Sequence, residues 1–134
     1  MTVQSSEALD VVRGNARHST EALALDTRRA VRALGMGVDQ LADVLDVDDR
    51  TADAIVAGHA RITPGSELAE RALLLVRLHR ALGDVHGSVE RMHAWLETDE
   101  PALSASPREL IRTTAGLQRV VRHIEAHCKD CLLY

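Results

Sequence analysis

An all-α fold is what this sequence predicts, and three observations predict it. Apolar residues recur at three- and four-residue steps through most of the chain, no segment alternates as a strand does, and helix-start and helix-stop residues punctuate the apolar stretches. Composition agrees. Of 134 residues 46% are hydrophobic, which is enough to bury a core in one compact unit. Phe is absent and the only Trp and Tyr are Trp95 and Tyr134, so the core must be Leu, Val, Ile and Ala. Such residues suit interdigitated helices better than a sheet, whose strands recruit aromatic side chains.

In chain order, residues 1–18 are weakly patterned around Leu9, Val11 and Val12 and read as an N-terminal extension, with a frayed or partner-dependent helix before Gly14. A clear helix begins at Ser19 or Thr20, carries Leu23, Ala24, Thr27, Ala30, Val31 and Leu34 on one face, and ends at Gly35. Two short helices follow: one with Val38, Leu41, Ala42 and Leu45 in register, one with Ala52, Ile55 and Val56. Asp48 is placed to cap the second and Gly58 to stop it, so residues 19–62 predict a helix-turn-helix unit.

Residues 63–134 form the next unit. Thr63-Pro64 predicts the start of a long helix running to about Gly83, apolar around more than one stripe and therefore a central strut. Gly83-Asp84 and Gly87-Ser88 predict breaks before an amphipathic helix with Val89, Met92, Trp95 and Leu96. Pro101 is expected to stop that helix, because proline cannot continue the hydrogen-bond ladder. Ser106-Pro107-Arg108-Glu109 then reads as a capping box: Ser106 caps the new helix, Pro107 sits at its first position, and Glu109 reaches back to the Ser106 backbone. A last helix from Thr114 has Leu117, Val120, Val121 and Ile124 on one face and Arg119 and Arg122 opposite.

Charge narrows the function. From Gly35 to Ala60 six aspartates face one arginine, whereas from Leu68 to Tyr134 nine acids balance nine bases. A DNA-reading helix needs groups such as Arg50 and Thr51 at its start, but here Asp48, Asp49 and Asp53 flank them and would confront a polyanion. Fifteen of the sixteen basic residues are Arg, a bias pointing to a GC-rich bacterial genome. No apolar run is long enough to span a membrane and the N-terminus lacks signal-peptide regions, so a cytoplasmic location is expected.

No constellation predicts catalysis: the histidines are scattered, and there is no Gly-rich phosphate loop or nucleophile elbow. Asp39, Asp43 and Asp46 at helical spacing read as a solvated acidic face. His123, His127, Cys128 and Cys131 fall within nine residues and have zinc-ligand spacing, but a structural zinc joins distant parts of a chain. The favoured reading is two exposed imidazoles and two reducible thiols, with no metal and no cofactor.

The order Trp95-Leu96, Pro101-Ala102-Leu103, Pro107 with Leu110-Ile111, Gly116 and Val120, behind a helix-turn-helix, resembles the Xre/MbcA/ParS-like antitoxins. The resemblance runs from about Leu23 to Ile124. It implies an all-helical, non-enzymatic antitoxin, a homodimer or a hetero-oligomer with its toxin, whose C-terminal half binds a RES-type NAD-consuming toxin and blocks its active site. It also implies autorepression through operator DNA, which the three aspartates put in doubt here. Within that frame Trp95, Pro101, Leu103, Pro107, Leu110, Gly116 and Val120 read as scaffold. Arg112, Arg119, Arg122, His123 and Tyr134 are the expected toxin contacts, because Arg and Tyr are good interface anchors.

Overall fold

Residues 21–128 are described by the computed structural model, and they form seven helices, with only an isolated bridge between Glu100 and Ala105 in extended pairing. The helix expected before Gly14 and the residues Cys131 and Tyr134 lie outside them.

Helix α1 (21–34) turns Thr27, Ala30, Val31 and Leu34 inward. Thr27 is fully buried, and its hydroxyl donates to Leu23 O at 2.6 Å, so no polar atom is left unsatisfied there. Gly35, at φ 67°, ends the helix. Helix α2 (Val38–Leu45) closes on Asp46, a non-glycine residue in the left-handed region at φ 56°. Helix α3 (Asp49–Ala57) is capped as expected: Asp48 Oδ1 accepts from Thr51 N at 2.7 Å, and Gly58 terminates it at φ 83°.

Helix α4 (Glu67–His86) lies three residues further along than the expected span at both ends. Pro64 and Gly65 form a turn, and Ser66 is the cap, accepting from Ala69 N at 3.1 Å while donating to Thr63 O at 2.6 Å. Gly83 does not break the helix; it is a helical residue, and only Gly87, at φ 79°, reverses the chain. Helix α5 (Val89–Glu97) follows, capped by Ser88. At twenty residues α4 is about 30 Å long, and it packs against α2, α5 and the last helix.

Pro101 does not stop α5. The helix ends at Glu97, where Thr98 turns extended and its hydroxyl donates to Ala94 O at 2.7 Å, and Pro101 instead lies exposed in the turn that follows. That turn is closed by Glu100 N to Ala105 O at 3.1 Å and by Leu103 N to Glu100 O at 2.9 Å, with Ser104 left-handed at φ 61°. Helix α6 (Pro107–Leu110) and helix α7 (Thr114–Ala126) complete the chain.

A single aliphatic cluster runs from Ala30 to Ile124 and contains Leu34, Leu41, Leu45, Leu75, Leu78, Leu82, Leu96, Ile111 and Leu117. Burying each such side chain contributes about 1.5–3 kcal/mol, so the core has no need of aromatic residues.

Candidate functional site

The α5–turn–α6–α7 segment is built from its corners. At the first, Ser106 Oγ accepts from Glu109 N at 3.4 Å and Pro107 occupies the first helical position, buried. The reciprocal half of the expected capping box is replaced by another partner, since the Glu109 carboxylate lies 4.0 Å from Arg112. At the second corner, Thr113 Oγ1 accepts from Gly116 N at 3.0 Å, and a Cβ on Gly116 would meet Leu110 O at 1.8 Å. Gly116 is therefore what allows α7 to start directly against the end of α6. Leu110 itself is only partly buried, and Ile111, at 1% exposure, fills the core beside it.

Three attachments fix this segment to the rest of the molecule. Thr114 Oγ1 donates to Val44 O, at the end of α2, at 3.0 Å. Arg77 of α4 makes a two-pronged ion pair with Glu125 of α7, one arm at 3.0 Å, which raises the Arg77 pKa through the hydrogen bond to the carboxylate. Arg108 donates to Leu34 O and pairs with Glu97 at 2.7 Å, while His93 Nε2 lies 2.7 Å from Ala33 O. The last carbonyls of α1 are thus taken by side chains from α5 and α6.

On this frame α7 divides cleanly. Gly116, Leu117, Val120, Val121 and Ile124 are buried, and Ala115, Gln118, Arg119, Arg122 and Ala126 are exposed along the opposite side. Glu125 is tied to Arg77, so the exposed charge of the helix is positive. Arg119 also donates to Leu103 O at 3.3 Å, holding the Pro101 turn, and Arg112 stands exposed in the α6–α7 connection.

Beside this face runs a file of rings. His86 and Trp95 are 5.7 Å apart between centroids, Trp95 and His123 are stacked at 6.2 Å and 9°, and His123 and His127 are 4.8 Å apart. His86 Nε2 is buried without a hydrogen-bond partner; burial lowers the imidazole pKa, and Arg91 adds to the shift. Trp95 is half-buried rather than core. The i,i+4 spacing of His123 and His127 was visible in the sequence, but nothing there brought His86 to Trp95. No group of three or more His, Cys, Asp or Glu converges on a metal position among the described residues.

Residues 81–127 match the antitoxin Xre/MbcA/ParS C-terminal toxin-binding domain. Over those residues the chain is similar to that toxin-binding domain. The matched stretch opens in the last turns of α4 and closes just past α7, so it coincides with the segment whose corners and faces are described above. Comparison with curated proteins gives no match.

Outside the matched stretch, Arg50 is exposed at the first turn of α3, and Thr51 is half-buried with its backbone N–H held by Asp48. Hydrogen bonding from Thr51, first from its side chain and then from that backbone N–H, holds the Asp48 carboxyl below its ordinary pKa. Asp48, Asp49 and Asp53 are all exposed around Arg50, so this end of α3 presents net negative charge to solvent. Among the described residues no helix is long and apolar enough to cross a membrane.

Proposed function

We propose that this chain is an antitoxin that neutralises a RES-type, NAD-consuming toxin by covering its active site, acting in the cytoplasm as a homodimer or as a hetero-oligomer with the toxin. In this reading residues 1–18 are an extension, 19–62 a helix-turn-helix unit and 63–134 the toxin-binding part. The observation that carries it is the coincidence of the matched stretch with an α7 whose exposed charges are positive. Arg112, Arg119, Arg122 and His123 form the contact surface, and Tyr134 belongs to the segment that plugs the pocket.

An Arg-bearing face suits a toxin surface rich in carboxylates, where complementary charge speeds encounter and fixes register. The acidic start of α3, by contrast, gives little support to operator binding through Arg50 and Thr51. The experiment is co-expression with the toxin encoded beside the antitoxin gene. Arg112→Glu with Arg122→Glu, both at exposed positions, is expected to weaken toxin binding roughly tenfold or more and to lose protection of growth, with helicity unchanged. Deletion of residues 128–134 is expected to leave the complex formed but the toxin active. Full protection by both variants would overturn the proposal.

A further inference from the structure

The two imidazoles at the end of α7 also have a geometry of their own. His123 and His127 are one helical turn apart, with ring centroids separated by 4.8 Å. A divalent metal about 2.0–2.1 Å from an imidazole nitrogen lies about 3.2 Å from the ring centroid, so two centroids at this spacing subtend about 97° at a shared metal. That angle falls between those of octahedral and tetrahedral shells.

Each ring is also held in place. His123 is stacked on Trp95 at 9°. His127 Nδ1 lies 2.8 Å from His123 O. A carbonyl can only accept, so Nδ1 carries a proton, and in the neutral ring the lone pair is then on Nε2. Metal-bound histidines have this arrangement: one nitrogen is oriented by a hydrogen bond and the other is free to coordinate. The nearest carboxylate on the helix, Glu125, is committed to Arg77 and does not compete. His127 is exposed, so an ion reaches the pair from solvent.

We propose that His123 and His127 chelate one divalent transition-metal ion of the zinc, nickel and cobalt class, whose other positions are filled by water. Imidazole selects such borderline ions over magnesium or calcium.

The test uses the full chain, which has seven histidines, with Ni2+ as probe. In carbon–proton NMR spectra of the imidazoles, substoichiometric Ni2+ is expected to broaden His123 and His127 before the other five. Calorimetric titration is expected to give one site, weakened at least about tenfold by His123→Ala or by His127→Ala, since even second-shell changes at metal sites cost that much. His127→Ala removes an exposed side chain, so its unchanged helicity controls for folding. Cys128→Ser with Cys131→Ser is expected to keep the affinity. Uniform broadening of all seven rings, undiminished affinity in the histidine variants, or loss only in the cysteine variant would each overturn the proposal.

Discussion

A side chain at Gly116 has no room: its Cβ would lie 1.8 Å from Leu110 O and 2.7 Å from Leu110 C, both backbone atoms that no rotamer change can move. Alanine ordinarily stabilises a helix by about 1 kcal/mol over glycine. Here the α6–α7 corner must open to accept the methyl group, and overpacking of this sort costs about 1–3 kcal/mol or more. Gly116→Ala is therefore expected to lower the urea midpoint despite the better helix former, whereas Gly37→Ala, with nothing within 4 Å of its Cβ, is expected to change it little. Gly116 was legible as a landmark in the sequence, as were the caps at Asp48 and Ser106. The left-handed residues Asp46 and Ser104 were not, because the usual marker of such a turn is glycine and neither position has one. The ring file escaped for a different reason: His86 and Trp95 meet through the folding of α5 back on α4, and no spacing along the chain encodes that.

Among the elements, α1 ends against α5 and α6 rather than in water. Its last carbonyls, Ala33 O and Leu34 O, receive His93 and Arg108, and a cation at a helix C-terminus also meets the negative end of the helix dipole. The Arg108 side chain is 17% exposed, so its removal strands partly buried acceptors. Arg108→Ala is expected to cost about 1–3 kcal/mol in chemical denaturation, and Arg112→Ala, at an exposed position, within about 0.5 kcal/mol. Element boundaries were legible where one residue type decides them and misleading where two compete. Pro64 lies in a turn because Ser66 caps better, Gly83 stays helical because Ala81 and Leu82 before it are fully buried and hold that turn of the helix in the core, and α5 closes at Thr98 before Pro101 can act.

The whole molecule follows from composition and period: a chain with two aromatic residues and apolar positions at helical steps packs aliphatic helices around α4. That much was legible, because the core depends on pattern more than on any one residue. How the helices join was not, since Thr114 on Val44 O and Arg77 on Glu125 are contacts between residues far apart in sequence. One property of the whole is sensitivity to acid. Burial lowers the pKa of both His79 and His86 from the ordinary 6.5, so the folded chain favours the neutral rings and unfolding takes up protons as pH falls. Their contribution to stability is complete above about pH 6.5 and is lost as pH drops through the lowered folded values. Urea midpoints are expected to fall between pH 7.5 and 5.5, and the His79→Gln/His86→Gln variant is expected to flatten that slope. The stacking of Trp95 on His123 has an optical consequence as well. With a single indole in the chain, emission excited at the red edge of the absorption band comes from one ring touching the end of α7. Whatever protonates, coordinates or displaces that imidazole is then reported by the protein's own fluorescence, without a label.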